Sequence, residues 1–600
     1  MTTPLSTNPP VASPTGPASH QPVALSSWSD IWKPPPQEKN NRAGAVETWR
    51  EIVETIVFVV VLVLILKSFV AECFVIPTGS MAETLYGYHK NIDCPACGTN
   101  YAINCSQEVE HPEAGYRVDH GICPNCLEST RLEGSGRRSA GETNRSIPDP
   151  GPATGDRVIV SKYFNDLLNI PYARWDVVVF KYPGNSHPLD ASYGNPPFPI
   201  SGPQKEHTAM NYIKRLVGLP GETVAIHGGD LYHMEGAIPH PDGNNPREID
   251  LWKYENMHPN ASIDDFQKGK FKILRKTPKV ALAESRLVYD HDHPPADLPN
   301  LLRWNDSNGV FVADGKSAFV AKSTQPGKPQ WLRYQHLLRG NNDPSTGQAR
   351  KQLITDTMGY NDIFRNRALG VGNNWVADLI LEATVEPSGA QGAILLELSR
   401  GPDRFEARLD LQTGLAEIFR KSDNGTISIA KIEKAFPATK SARIRLGNVD
   451  QTIHLWINNK SVTGEGIAYD APAHFGPTLE NDLEPASIGL DGAAGRVSAI
   501  KLSRDTYYTV RNTNPQDPDV SIDDWTVGSD LAKGAYPKKW EELRNLPVKT
   551  LYVQPGHYLC MGDNSSHSSD GRSWGLVPHR LMLGQAVGIY WPYSRMGRIR

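Results

Sequence analysis

The chain has little cysteine, seven residues in 600, which excludes a small secreted scaffold held together by dense disulfides. It has no cationic excess either. Lys and Arg number 62 against 66 Asp and Glu, a net charge of −4, so the global basic field that non-specific nucleic-acid binding needs is missing and nucleic acid is not an expected partner. No short basic segment opens the chain ahead of its long apolar run, which argues against a cleaved signal peptide. None of the 18 histidines falls in a recognisable triad pattern. Pro (48) and Gly (51) are raised, but the excess is local to the first 45 residues and to loops, below the level that marks wholesale disorder.

What is present divides the chain. Six hundred residues exceed what one hydrophobic core organises, so two to four folded units are expected. Residues 1–50, rich in Pro, Ser, Thr and Ala and without apolar periodicity, read as a disordered cytoplasmic tail. From Ile52 to Ala71 the residues are almost all Val, Ile, Leu and Phe. At about 1.5 Å per residue, such a helix spans the roughly 30 Å of a bilayer core, so 51–72 is expected to be a single transmembrane helix in the lipid bilayer. Lys67 near its end can snorkel to the headgroups. A buried core helix is the competing reading, and Glu72 before Cys73 disfavours a lipoprotein signal. Lys33, Lys39, Arg42 and Arg50 outnumber Lys67 and Lys90, which places the tail in the cytoplasm and everything after residue 72 outside.

Directly after this run comes Phe74-Val75-Ile76-Pro77-Thr78-Gly79-Ser80-Met81, an extended stretch ending in a Gly-Ser turn. A serine is a weak nucleophile until a base takes its proton. The best base candidate is Lys214, in Asn211-Tyr212-Ile213-Lys214-Arg215-Leu216-Val217, a strand-like segment running into Pro220-Gly221. To act near neutral pH its pKa must fall from about 10.4 by roughly two units or more, at about 1.4 kcal/mol per unit. Burial among Tyr212, Ile213 and Leu216 would do that by desolvating the ammonium. Taken alone, a Gly-Ser turn and a Lys-Arg pair are ordinary structural features; their order and company carry the case.

Thr78 to Leu85, Gly155-Asp156-Arg157-Val158, Arg174 to Pro183, the Lys214 segment, and Gly562-Asp563-Asn564-Ser565-Ser566-His567-Ser568-Ser569-Asp570-Gly571-Arg572 through Pro578 follow one another along the chain. In content and order this series resembles the type I signal peptidases, the Ser/Lys-dyad leader peptidases of peptidase family S26, over roughly residues 50–92, 155–235 and 545–600. The resemblance implies a membrane-bound serine endopeptidase in the bacterial cytoplasmic (inner) membrane, catalytic domain on its outer face, that removes signal peptides from exported preproteins through an acyl-enzyme. Ser80 would be the nucleophile and neutral Lys214 its base, with no catalytic cofactor. The Ser80 backbone N–H and the Thr78 hydroxyl would hold the oxyanion, Ser568 would orient the lysine, Asp570 and Arg572 would form a supporting ion pair, and Gly562 would leave room. Phe74, Ile76, Pro77, Tyr212 and Ile213 resemble the two strands that receive substrate as an added strand, with pockets admitting small residues, hence an Ala-x-Ala rule. The protein-export translocon is a further implied partner. Glu83 and Gly571 replace a proline and a serine usual in the family's motifs. The His567 and Asp570 pair is a less favoured route to a triad.

Two stretches fall outside the resemblance. In 93–154, Cys94-Pro95-Ala96-Cys97-Gly98 is answered by Cys123-Pro124-Asn125-Cys126. Four thiolates in two knuckles suit a closed structural Zn²⁺ site of zinc-ribbon type, with disulfides, Cys105 included, as the alternative; no βαβ pattern supports a redox role. In 240–540, strand-like stretches at Asp378–Val385, Ala393–Leu398, Phe405–Leu411, Ser441–Leu446, Thr452–Asn458 and Val497–Leu502 predict an antiparallel β-sandwich at about 370–510 that resembles the concanavalin/laminin-G jelly roll. A glycan or protein ligand and a mere spacer are equally open for it. The expected fold is thus mainly β: a membrane helix, a signal-peptidase-type antiparallel catalytic domain from 73–92, 155–239 and 541–600, and the two insertions. A self-cleaving Ser/Lys protein and a non-catalytic surface-binding protein are the alternative functions.

Overall fold

The computed structural model describes residues 44–65, 67, 70–133, 145–162, 170–183, 210–236, 265–298, 302–322, 324–338, 350–361, 372, 374–436, 441–471, 476–510 and 548–599. The chain divides into two units, Met1–Ile65 and Leu66–Arg600.

In the first unit the apolar run forms a helix, Gly44–Ile65, with its apolar side chains from Ile52 onward exposed. This corrects two boundaries. Residues 44–50, read as tail, are helical, while Ala71 and Glu72, read as the end of the span, begin a β-strand. Arg50, Glu51 and Glu54 lie inside the helix, Arg50 bonded to Glu54 one turn on at 2.7 Å. Among the described residues no helix is long and apolar enough to cross a membrane. Residues 1–43 of the expected tail, and Leu66, Ser68 and Phe69 of the expected span, lie outside the described residues.

The second unit is built on an antiparallel sheet in the order Ala71–Val75, Arg157–Ser161, Met582–Trp591, Val177–Lys181, Asn211–Gly218, His557–Met561, Val577–Pro578. The run Val177-Val178-Val179-Phe180 does not alternate because both faces of this sheet are covered. Val178 and Phe180 pack with Leu216, Cys560 and Trp574; Val177 and Val179 pack with Val158, Val160, Ile76 and Met81. A second sheet, Lys272–Ile273, Asp230–Glu235, Glu222–His227, Lys549–Tyr552, continues from the first through the Pro220-Gly221 turn. Strands from before and after the insertion therefore pair directly, Glu222–His227 with Lys549–Tyr552.

The insertion is a sandwich of a nine-stranded and a seven-stranded antiparallel sheet. The six expected stretches are strands, from Leu379–Pro387 to Gly495–Arg504. Ile394, Leu396 and Leu398 stand opposite Leu409, Ala407 and Phe405 and enter one core. The sandwich reaches further back than about 370: Arg286–Asp290, Trp304–Asn305, Phe311–Asp314, Ala318–Ala321 and Gln330–Tyr334 join its sheets. These strands are two to five residues long, too short to show a period of two in the sequence.

Buried ion pairs fasten the sandwich to these two sheets. Lys276 Nζ meets Asp505 Oδ2 at 2.8 Å, Asp450 Oδ1 at 3.2 Å and Glu284 Oε2 at 3.9 Å, and Glu284 also meets Arg215 Nε at 2.8 Å. Arg400 spans Asp378 and Asp230. Desolvation by burial pushes the carboxyls of Glu284 and Asp450 up to about 7. Because their folded pKa values lie above the unfolded range near 4, the stability they contribute is present below that range and is lost as pH rises through about 7. Lys276→Met leaves these carboxyls buried without their cation and should cost about 3 kcal/mol or more at neutral pH. The expected readout is a lower denaturation midpoint whose deficit shrinks as pH falls toward 5; a pH-independent deficit would contradict the assignment.

Candidate active site and metal centre

The approach to Ser80 is set by close backbone packing. Ile76 N donates to Asp156 O at 2.9 Å, and a Cβ on Gly155 would collide with Ile76 O, so the Gly-Asp pair lets two backbones touch. The Asp156 carboxylate accepts from Tyr86 N at 2.8 Å and is gripped by Arg595 at 2.9 and 3.0 Å. The chain then turns through a single 3₁₀ turn, Gly79–Met81, with Thr78 exposed and extended in front of it.

Lys214 lies on the central strand Asn211–Gly218 and is 3% exposed. Its Nζ is 2.5 Å from Ser80 Oγ and 3.1 Å from Ile213 O, and sits 5.3 Å from the centre of the Tyr212 ring. Desolvation lowers the amine to about 8 against the opposing pull of Asp570, Cys560 and Asp563. Those carboxylates are engaged elsewhere: Asp570 takes Arg572 Nε and Nη2 at 2.9 and 2.6 Å, and Asp563 takes Arg215 Nε and Nη2 at 2.8 and 2.6 Å. Burial alone would raise both acids; the guanidinium charges outweigh it and hold them below the usual carboxylate range. A neutral amine is thus available close to a hydroxyl at mildly alkaline pH, the pairing that general-base activation of an alcohol requires.

The remaining expected residues fall as follows. Asp570 caps the short helix Gly571–Trp574 and accepts from Gly562 N at 3.0 Å. Arg572 also donates to Thr509 O and Ser565 O, both at 2.7 Å. Ser568 is buried, but the hydrogen bond expected from it to the lysine is not among those Lys214 makes within the described residues. A Cβ on Gly562 would collide with Ser568 Oγ and lie 2.5 Å from Ser80 O, so only glycine fits between them. At Gly571 a Cβ would meet Leu559 Cδ1 at 2.6 Å and Cys560 O at 3.0 Å. Phe74, Ile76 and Ile213 share one apolar cluster, whereas Tyr212 packs on the other face against Phe180, Tyr182 and Trp574. Pro77 is exposed. Strand His557–Met561 pairs only with residues 215–218 of the lysine strand, leaving Asn211–Lys214 unpaired along that edge by any strand among the described residues. Sequence reasoning missed Asn361, Asn564 and the Thr84 hydroxyl, which donates to Asp563 at 2.6 Å. Asn564 stood inside a recognised motif, but Asn361 had no signal.

In the cysteine module the four expected thiols converge. Cys94 and Cys126 Sγ are 3.5 Å apart and Cys97 and Cys123 Sγ 3.6 Å, all as free thiols. That exceeds a disulfide bond of about 2.05 Å and approaches the roughly 3.8 Å edge of a tetrahedron with metal–sulfur bonds of about 2.3 Å. Each knuckle turns through a left-handed residue, Gly98 in one and Leu127 in the other. Cys105 is buried and outside the cluster. The donor set and its spacing fit a closed four-thiolate site.

The family model for signal peptidase, peptidase S26, matches residues 144–280 and 504–591, less than half of the chain, taking in Lys214 and the 562–572 motif but not Ser80. Signal peptidase I of Buchnera aphidicola is 38% identical over 52 residues, 9% of this chain and 17% of that one. Mitochondrial inner membrane protease subunit 1 of Mus musculus is 29% identical over 132 residues, 21% of this chain and 71% of the relative, and signal peptidase IB of Staphylococcus aureus 26% over 120 residues, 20% and 59%. The chain therefore spans a minor part to about two thirds of these relatives. Solved structures resemble the chain only loosely: a carbohydrate-binding module from Bacillus subtilis covers 34% of this chain and 96% of its own, at 10% identity and a TM-score of 0.21. The two matched stretches, 144–280 and 504–591, are similar to the signal peptidase, peptidase S26 family, and most of the sandwich lies between them.

Gly562→Ala should yield a folded protein destabilised by about 1–3 kcal/mol, because Ser568 or the Ser80 turn must move to admit the methyl. An unchanged melting temperature with unchanged activity would contradict the packing described here.

Proposed function

We propose that the chain is a membrane-bound serine endopeptidase that removes signal peptides from exported preproteins, cutting after small residues in an Ala-x-Ala pattern. The observation that carries this reading is the buried Lys214 amine 2.5 Å from Ser80 Oγ, within a domain whose matches are to signal peptidases. The neutral amine takes the Ser80 proton as Oγ attacks the carbonyl of the residue before the cut. The oxyanion is held by the Ser80 backbone N–H and the Thr78 hydroxyl. The protonated lysine then gives its proton to the leaving amine, and a water activated by the same amine releases the acyl group. Substrate adds as a strand along the unpaired edge at Asn211–Lys214, with Phe74, Ile76, Pro77, Tyr212 and Ile213 shaping the shallow pockets. Asp570 and Arg572 brace the loop beside the lysine, and Gly562 leaves room between Ser568 and the Ser80 turn.

The run continuing past Ile65 anchors the enzyme in the bacterial cytoplasmic membrane, with the catalytic domain on the outer face beside the export machinery. Cys94, Cys97, Cys123 and Cys126 hold one structural zinc; with four protein ligands it leaves no site for catalysis. The sandwich offers a surface for a glycan or a protein partner.

The test is cleavage of an Ala-x-Ala preprotein in detergent. Wild type should cut after the second small residue, and Ser80→Ala and Lys214→Ala should be folded and inactive; full activity in either variant would refute the dyad. With Lys214 the base, kcat should rise about tenfold per pH unit below 8 and level off above it, and Thr78→Val should lose about 3 kcal/mol of transition-state stabilisation. Metal analysis should find one zinc per chain, and Cys123→Ser should lose it together with stability; a metal-free wild type that melts identically in chelator would contradict the zinc assignment.

A further inference from the structure

A closed hydrogen-bond circuit reaches the Ser80 turn from inside the sandwich insertion. Asn564 holds both carbonyls of that turn: its backbone N–H donates to Ser80 O at 3.1 Å and its Nδ2 to Gly79 O at 3.0 Å. Asn361, from the insertion, faces it. Asn361 Nδ2 donates to Asn564 Oδ1 at 2.9 Å and to His567 Nδ1 at 2.9 Å, while Asn564 Nδ2 donates to Asn361 Oδ1 at 2.6 Å. All four amide hydrogens are used, so neither side chain can turn over without setting an oxygen against an oxygen. Both residues are buried, at 7% and 0% exposure, and solvent cannot substitute for the lost bonds. The neighbouring Tyr360 reinforces the arrangement: its ring lies where a Cβ on Gly79 would be, its carbonyl accepts from Asn104 N at 2.7 Å, and it stacks on Tyr86 at 5.1 Å.

The peptide linking Gly79 to Ser80 is planar, so its C=O and the Ser80 N–H are one rigid unit pointing in opposite directions. A hydrogen bond fixed on Gly79 O therefore aims the Ser80 N–H. We propose that Asn361 is a positioning residue for the peptidase reaction: it locks the Asn564 amide with Nδ2 toward Gly79 O and so aims the Ser80 N–H at the oxyanion. The inference rests on the reading of Ser80 as nucleophile. It assigns the insertion a part in catalysis without contact with substrate. Because the N–H matters when charge develops, loss of Asn361 should depress kcat and leave KM alone.

The experiment compares wild type, Asn361→Ala, Asn361→Asp, Asn564→Ala and the Asn361→Ala/Asn564→Ala double variant, all as the full chain in detergent on one Ala-x-Ala preprotein, with kcat, KM and melting temperature measured for each. Asn361→Ala should lower kcat about 10- to 100-fold with KM within about twofold. Asn361→Asp, which keeps the shape but loses the donors, should be slowed as well. The double variant should be no slower than Asn564→Ala, since one residue acts through the other. A kcat within about twofold of wild type in Asn361→Ala, a raised KM at unchanged kcat, or a double variant slowed by the product of the single effects overturns the proposal. If Asn361→Ala does not fold, Asn361→Asp decides; if neither folds, the circuit is a structural brace and the proposal fails. An inactive wild type fails the peptidase reading itself, which is visible before any variant is compared.

Discussion

One burial governs the chemistry available to this molecule: the Lys214 amine, taken out of water beside Ser80 Oγ. An isolated buried ammonium is costly, and the usual remedy is a carboxylate partner, which would raise its pKa and end its use as a base. Two buried carboxylates stand near enough to pull in that direction, yet each is held by two hydrogen bonds from its own arginine, Asp570 by Arg572 and Asp563 by Arg215. The arginines thus do more than stiffen the site: they occupy the acids that would otherwise pair with the lysine. Desolvation is left as the leading effect on the amine.

The insertions are woven into that arrangement rather than appended to it. Asn125 of the cysteine module donates to His293 O at 2.8 Å and accepts from Asp290 N at 2.7 Å, both at the entrance to the sandwich. Arg504, on the last sandwich strand, donates to Thr357 O at 2.8 Å, just ahead of the Tyr360-Asn361 pair behind the Ser80 turn. Arg215, next to the lysine, passes through Glu284 to Lys276 and the sandwich aspartates. Long insertions in surface loops cost little loop-closure entropy, and an insertion with a core of its own can also contribute buried contacts to its host, as this one does.

What was legible in the sequence follows physical range. The serine, lysine and 562–572 segments could be read because each needs particular residues at short spacing: a turn glycine, a capping aspartate, a strand in which both faces are covered. The two cysteine knuckles were legible for the same reason, and the strands beyond residue 378 because alternation survives in strands of six or more residues. The five short strands before residue 370 carry no such period. Asn361 was illegible because its partner lies 203 residues away, and the Arg215–Glu284–Lys276 chain because charged residues read from sequence as solvated surface. The helix bounds missed by seven residues at the start and by two, Ala71 and Glu72, at the end: capping was not visible at Gly44, and a hydropathy run does not distinguish its last residues from an edge strand.

The most direct measurement is of the covalent intermediate itself. Full-length protein in detergent would be mixed with excess Ala-x-Ala preprotein, quenched with acid at early times, digested, and its peptides weighed by mass spectrometry. The account predicts that the peptide containing Ser80 carries the acyl portion of the substrate up to the cut, and that Lys214→Ala carries none. Turnover accompanied by an adduct on any other residue would contradict the account.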